Sequence, residues 1–229
     1  MRGGGVRYAR TKMKERRAVL LVLPVLSAGF ALAGQGLGWK LGVAFACAMA
    51  LAALARPQEP GRRALWWVFA GFAFSMLGDY FLSVRRGREA YFLAGIAAFW
   101  FAHLGYLLYA LTRGRLHARA LILLLAGYGT YYIRLLGPSI ESPALAGAVL
   151  AYLLASCVSL SAAIGMRAAA AERWLFIAGI GLILFSDTLI SFREFLNYRR
   201  LDLLILPTYY LAQILILNSV VWRRDLRYT

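Results

Sequence analysis

Long apolar stretches separated by short polar loops dominate this chain of 229 residues. A helix needs roughly 20 mostly apolar residues to cross the hydrocarbon core of a bilayer. Eight stretches reach that length or come close to it, near residues 18–34, 40–55, 64–84, 91–112, 119–136, 143–165, 173–192 and 203–222. The pattern predicts an all-α polytopic membrane protein with eight transmembrane helices.

The same pattern divides the chain into three parts. Residues 1–17 are predicted to form a basic cytoplasmic arm, residues 18–222 a single eight-helix transmembrane domain, and residues 223–229 a basic cytoplasmic tail. The loops between the apolar stretches are only a few residues long and leave no room for a soluble domain. A hydrophobic content of 62% agrees with this assignment, because it exceeds that of ordinary soluble domains.

The formal net charge of +16 is distributed unevenly along the chain. With the N-terminus inside, 18 of the 26 Lys and Arg residues fall on the cytoplasmic side, as the positive-inside rule requires. Basic ends of this kind contact anionic lipid head groups. Motifs that read bases or clamp phosphates are missing, so nucleic acid is not an expected partner. An Arg-rich chain with no targeting signal beyond the first helix indicates a prokaryotic inner membrane, with both termini cytoplasmic.

Two carboxylates interrupt the apolar pattern at corresponding places. Asp79 lies near the end of the third helix and Asp187 near the end of the seventh, 108 residues later. Tyr106 and Gln213, on the helices that follow, are 107 residues apart. Four helices in each half predict a parallel 4+4 internal repeat. An ionisable group at membrane depth is expensive to bury, so each aspartate marks a candidate functional site.

Further polar side chains share helix faces with these carboxylates. Phe99, His103 and Tyr106 follow one another at helical spacing and line one face of the fourth helix. If Asp79 and Asp187 flank one cavity, unequal surroundings can make one an acid and the other a base. His103 would then shuttle a proton. The candidates for holding a substrate's oxygen atoms are Tyr106, Ser186, Tyr209, Tyr210 and Gln213.

Structural explanations of the same residues stay open at the level of sequence. Asp79 can be ion-paired with a loop arginine such as Arg85, and Asp187 with Arg193. His103 and the tyrosines can be satisfied core residues.

A metal site built from Asp79, His103 and Asp187 is also conceivable. The chain has only two histidines, and His117 falls in a loop on the other side of the membrane. No His or Cys cluster with metal-ligand spacing occurs. The sequence therefore predicts neither a metal nor another cofactor.

The pattern of these residues resembles the YhhN family of integral-membrane lysoplasmalogenases. The resemblance spans the third to the eighth helix. It is carried by Gly78-Asp79, Gly95, Phe99, His103, Tyr106, Phe185-Ser186-Asp187, Pro207, Tyr209-Tyr210 and Gln213-Ile214-Leu215-Ile216.

The resemblance implies hydrolysis of the vinyl ether bond of a lysoplasmalogen. The products would be a fatty aldehyde and glycerophospho-ethanolamine or -choline, with a lysophospholipid as substrate and membrane lipids as surroundings. It further implies Asp79 and Asp187 as the acid and base, with the order open, and His103 assisting. Arg85 and Arg86 are candidates for attracting the phosphate head group. A small-molecule or lipid transporter with a polar cavity between two repeats remains the alternative, as does a regulatory protein with structural aspartates.

Overall fold

The computed structural model describes residues 21–34, 36–54 and 62–225, with side chains from 63 to 221 in the last range. The predicted arm 1–17, the start of the first helix and residues 226–229 of the predicted tail lie outside the described residues.

Every regular element of the described residues is helical apart from one isolated bridge between two loops. The eight α-helices are α1 Leu21–Leu32, α2 Leu37–Leu54, α3 Arg62–Val84, α4 Glu89–Leu111, α5 Ala118–Tyr131, α6 Pro143–Ile164, α7 Ala170–Phe195 and α8 Asp202–Asp225. The all-α prediction is confirmed for this part of the chain, and the predicted bounds of α2 to α8 lie within about three residues of the observed ones, except where α5 ends.

Seven of these helices are long and apolar enough to cross a membrane, with α5 counted together with its extension to Ser139. Helix α1 has only 12 described residues, Leu21–Leu32, and falls below that length. The structure therefore supports an integral membrane protein with seven candidate spans, and the eighth span stays a prediction. The 4+4 internal repeat also stays a prediction.

Helix α5 departs from regular geometry where the sequence predicted a continuous helix to residue 136. The α-helix ends at Tyr131, a π-helical turn follows over Tyr132–Leu136, and a short 3-10 turn covers Gly137–Ser139. Pro138 lacks a backbone N–H, which favours ending the regular hydrogen-bond ladder here. Turns of the π type within helices are frequent at functional sites.

Two antiparallel helix pairs, α3 with α4 and α7 with α8, form the most extensive contacts of the bundle. Glycines allow this close approach. A Cβ at Gly105 on α4 would lie 2.5 Å from the carbonyl oxygen of Trp67 on α3, and one at Gly179 on α7 would lie 2.6 Å from the side chain of Ile216 on α8. Small residues take this role in membrane helices because they let backbones meet.

Polar contacts tie the helices together at both ends of the bundle. At what we call the Arg85 end, Nη2 of Arg85 after α3 donates to both carboxylate oxygens of Glu194 on α7, at 2.7 and 2.8 Å. At the opposite Arg113 end, Arg113 after α4 lies 3.3 Å from Glu172 of α7. Backbone hydrogen bonds, such as Arg167 N–H to the Arg113 carbonyl oxygen at 2.8 Å, join the α4–α5 and α6–α7 loops there. Both aspartates of interest lie toward the Arg85 end.

Candidate functional site

Asp187 is the centre of a compact polar cluster inside the bundle. The Tyr152 hydroxyl on α6 donates a hydrogen bond to Oδ2 of Asp187 at 2.5 Å. Nε2 of His103 on α4 lies 3.1 Å from the same hydroxyl oxygen and 3.8 Å from Oδ2 of Asp187. Ser156, one helical turn after Tyr152, brings its Oγ to 3.2 Å from Nε2 of His103. Four polar groups from three helices thus meet at one point.

The hydrogen-bond geometry of this cluster fixes which group donates to which. A tyrosine hydroxyl has one hydrogen, and that of Tyr152 is used toward Asp187. The hydroxyl oxygen can therefore accept from His103 only if the ring carries its hydrogen on Nε2. His103, Tyr152 and Asp187 then form an ordered chain that can carry a proton between the imidazole and the carboxyl group.

An apolar pocket lies on one side of Asp187. Its empty space, including the part that is open to the outside, is about 680 Å³. The walls come from α3, α4, α5, the π-helical turn, α6 and α7, and most of the lining is hydrocarbon or aromatic. Polar lining groups are few: Tyr128, Tyr131, Tyr152, Ser156, Asp187, Thr188 and Ser191. A mostly apolar concavity with a few convergent polar groups is the usual form of a ligand site.

Asp79 occupies a different setting from Asp187. Its Oδ2 accepts a hydrogen bond from the Tyr209 hydroxyl on α8 at 3.1 Å. Asp79 is not among the residues that line the pocket, whereas Phe99 lines it and packs edge-to-face on Tyr209 at 5.9 Å between ring centroids. Phe99 and Tyr209 therefore connect the pocket wall to Asp79. That both carboxylates flank one cavity stays a prediction.

The polar residues predicted on α4 and α8 form a second buried network. The Tyr106 hydroxyl lies 3.4 Å from both Oε1 of Gln213 and Oγ of Ser75. Among the described residues, Nε2 of Gln213, the Tyr210 hydroxyl and Nδ1 of His103 have no hydrogen-bond partner. Buried polar atoms without protein partners are typical places for ordered water or a ligand's polar atoms.

Two residues that were predicted to contact a ligand form hydrogen bonds to other parts of the protein instead. The Ser186 hydroxyl is fully buried and donates to the Ile205 carbonyl oxygen at 2.9 Å, so it fastens α7 to α8. Both guanidinium hydrogen bonds of Arg85 described above go to Glu194. Arg86, next in the loop, is exposed and adopts a left-handed backbone with φ 43°.

The ion pairs expected between Asp79 and Arg85 and between Asp187 and Arg193 do not form in the described residues. Arg85 and Arg193 both bind Glu194, the second through Nε at 2.9 Å. In the described residues, the hydrogen bonds to Asp79 and Asp187 come from tyrosine hydroxyls.

The donor set does not favour a metal. No three His, Cys, Asp or Glu side chains gather closely enough to hold a metal ion in the part of the chain that the structure describes. The groups around Asp187 are two hydroxyls and one imidazole.

Tyr152 is the main residue of the Asp187 cluster that sequence reasoning missed. Ser161 on the same helix donates to the His117 carbonyl oxygen at 3.1 Å and takes no part in the cluster. A signal was present, because Tyr152, Ser156 and Ser159 follow one another at intervals of four and three residues. That spacing lines one face of an apolar helix with hydroxyl groups.

Comparisons with known proteins address the family of the chain. No curated protein and no solved structure matched it. A protein-family model described as the YhhN family matches residues 39–220, which is most of the chain and includes both aspartates, His103 and Tyr152. The chain therefore belongs to the YhhN family.

Proposed function

We propose that the protein hydrolyses the vinyl ether bond of lysoplasmalogens in the membrane, with Asp187 as the reacting carboxyl group. The observation that carries this proposal is the Tyr152 hydrogen bond that fixes Asp187 at the wall of an apolar pocket. Membership of the YhhN family supports it. We further place the protein in a prokaryotic inner membrane with both termini cytoplasmic, as its charge distribution favours.

The first step is protonation of carbon. Asp187 gives its proton to the alkenyl carbon that does not bear oxygen, and the double-bond electrons form the new C–H bond. The neighbouring carbon and the ether oxygen then share a positive charge as an oxocarbenium ion. The Asp187 carboxylate left behind stabilises that charge, because the mostly apolar lining of the pocket screens it weakly.

The second step restores the acid. Water adds to the oxocarbenium carbon and gives a proton to Asp187, which leaves a hemiacetal. The hemiacetal loses its hydroxyl proton and the bond to the glycerol oxygen breaks, with a proton delivered to that oxygen. The products are a fatty aldehyde and a glycerophospho-ethanolamine or -choline, and the sum is one substrate plus one water. His103 and Tyr152 would supply and return protons through the ordered chain.

Other residues would support this centre. Asp79 would hold Tyr209 and through it the Phe99 wall, which makes Asp79 a positioning residue. Arg86 is the better candidate of the two arginines for contacting the phosphate, because Arg85 is bound to Glu194.

The test is hydrolysis by the purified protein in deuterium oxide. Lysoplasmenyl-ethanolamine should yield fatty aldehyde with one deuterium on the carbon next to the carbonyl, because the proton that starts the reaction comes from solvent through Asp187. Asp187→Asn should release aldehyde about 10²–10⁴-fold more slowly while remaining folded. Absence of aldehyde from a folded parent protein, with several lysolipids, would reject the hydrolase and leave lipid binding or transport.

A further inference from the structure

The apolar pocket beside Asp187 has two boundaries of very different construction. At the Arg85 end, the Phe92 ring packs on that of Phe195 at 5.9 Å between centroids. The Arg85 guanidinium lies 4.8 Å from the centre of the Phe92 ring and is ion-paired to Glu194. Two aromatic rings of the pocket lining, with an ion pair against one of them, therefore lie between the pocket and this end of the bundle.

The side wall formed by α5 is much thinner. No residue of α5 itself is buried, and only the π-helical turn after it places a buried side chain, Leu136. On the face away from the pocket, Ile122 is 66% and Leu123 73% exposed, as expected for side chains that contact lipid. One helix thus separates the pocket from the bilayer.

Two hydroxyl pairs hold this wall against α7. The Tyr128 hydroxyl lies 3.2 Å from Oγ1 of Thr188, and the Tyr131 hydroxyl lies 2.7 Å from Oγ of Ser191. All four residues also line the pocket, so these pairs span the seam between α5 and α7. Each is a neutral hydrogen bond, which can open and re-form at modest cost.

The two ends of α5 are held differently. The loop before it is joined to the end of α6 by the backbone hydrogen bond from His117 N–H to the Ser161 carbonyl oxygen at 3.2 Å, and to the α6–α7 loop by the bond from Arg115 N–H to the Gly165 carbonyl oxygen at 3.4 Å. The opposite end passes into the π-helical turn, where the helical ladder is irregular. The seam nearer Asp187 therefore lies at the end of α5 where the helix is irregular.

We propose that the pocket is the binding site for the single hydrocarbon chain of a lipid, which enters sideways from the bilayer through the seam between α5 and α7. The chain then lies among the aromatic and aliphatic walls, with Asp187 beside it. The lining explains the choice of occupant, since a hydrocarbon chain gains from apolar contact along its length and needs no polar partner. The inference deepens the proposed function, on which it rests only for the identity of the lipid head group.

The experiment uses a lysolipid that the enzyme cannot cleave. The probe is a saturated alkyl-ether lysophosphoethanolamine with a photoreactive diazirine in its chain, added to the full-length protein in lipid nanodiscs. After illumination, labelled peptides are identified by mass spectrometry. Labelling is expected on the pocket faces of α5, α6 and α7. Because no bond is cleaved, this result can be obtained even if vinyl ether hydrolysis is never detected.

Neighbouring leucines on α6 provide a matched pair of variants for the site. Leu153 is buried and lines the pocket, whereas Leu154 is 43% exposed and does not. Leu153→Trp should reduce pocket labelling at least about tenfold by filling the space, and Leu154→Trp should leave it unchanged. Equal labelling of both variants and the parent, or no label in the pocket of the parent, would show that the pocket is not the binding site of the hydrocarbon chain.

Hydroxyl deletions test the route. Tyr128→Phe and Tyr131→Phe remove the bonds across the seam and should each speed the onset of labelling about fivefold. The control Tyr132→Phe removes a hydrogen bond to the Ala146 carbonyl oxygen instead and should have no such effect. Glu194→Gln weakens the closure at the Arg85 end and should not speed labelling. Faster labelling in Glu194→Gln, with the seam variants unchanged, would overturn lateral access and indicate a route through that end.

Discussion

The surroundings of Asp187 and Asp79 differ more than their matching places on α7 and α3 suggest. Each aspartate accepts a hydrogen bond from a tyrosine on another helix, Tyr152 for Asp187 and Tyr209 for Asp79. Only Asp187 lines the pocket, and only Asp187 has an imidazole close by. The two carboxylates therefore have different surroundings, and in the proposed reaction only Asp187 contacts the bond that is cleaved.

Replacing Asp187 should have the largest effect on the proposed reaction. Asp187→Asn keeps the shape of the side chain and removes the proton that starts hydrolysis. We expect kcat for aldehyde release to fall about 10²–10⁴-fold, the usual contribution of a general acid. Initial rates with lysoplasmenyl-ethanolamine measure this.

Asp202→Asn is the matched control, because Asp202 lies in the first turn of α8 and does not line the pocket. It should keep the parent rate. An active Asp187→Asn variant would mean that Asp187 is not the acid, and it would point to Asp79 in that role.

Removing the Tyr152 hydroxyl should have the next largest effect. Tyr152→Phe breaks the ordered chain from His103 to Asp187 but preserves the aromatic ring in the pocket wall. Hydrogen bonds to charged groups contribute about 1.5–3 kcal/mol, so a fall in kcat of about 10- to 100-fold is expected. KM should change little, since the ring still contacts the lipid.

The control for Tyr152→Phe is Tyr132→Phe, whose hydroxyl bonds only a backbone carbonyl in the same region. It should lower thermal stability slightly and leave kcat unchanged. A Tyr152→Phe variant with raised KM and normal kcat would instead mean that Tyr152 binds substrate without moving a proton.

Asp79→Asn should reduce activity less than Asp187→Asn or Tyr152→Phe. The asparagine side-chain oxygen can still accept from Tyr209, so the wall formed with Phe99 is largely kept. We expect a loss of less than about tenfold in kcat. Combining it with Tyr209→Phe should give less than the sum of the two single effects, because the residues share one interaction.

Loss of all activity in a folded Asp79→Asn variant would contradict this ranking. It would support the two-carboxylate mechanism, in which Asp79 and Asp187 divide the roles of acid and base.

The fold was largely predictable from sequence because bilayer thickness fixes helix length. The bounds of α2 to α8 follow from the lengths of the apolar stretches. The irregular end of α5 did not follow, because Gly137 and Pro138 indicate only that a helix stops and not that a π-helical turn precedes them.

The site was predictable only where polar residues are rare. Asp79, Asp187 and His103 stand out because charged and ionisable groups are expensive in a membrane. Tyr152 did not stand out among 13 tyrosines, since an amphipathic ring is ordinary in such helices. Which arginine pairs with which carboxylate also depended on tertiary packing, and Glu194 bound both arginines that the aspartates were expected to bind.

Replacing Glu194 should have the smallest effect on the proposed reaction. Glu194→Gln breaks the ion pairs with Arg85 and Arg193, whose side chains are 27% and 34% exposed. Partly exposed pairs contribute up to about 1 kcal/mol, and we expect the apparent Tm in detergent to fall by about 2–4 °C. High salt should reduce the difference in Tm from the parent, because it screens the ion pair in the parent protein.

The rate of hydrolysis by Glu194→Gln should remain within about twofold of the parent rate, since this ion pair joins helices at the end of the bundle and transfers no proton in the proposed reaction. A loss of activity comparable to that of Tyr152→Phe would mean that the Arg85–Glu194 ion pair positions the substrate. The Arg85 end of the bundle would then take part in the proposed reaction together with Asp187.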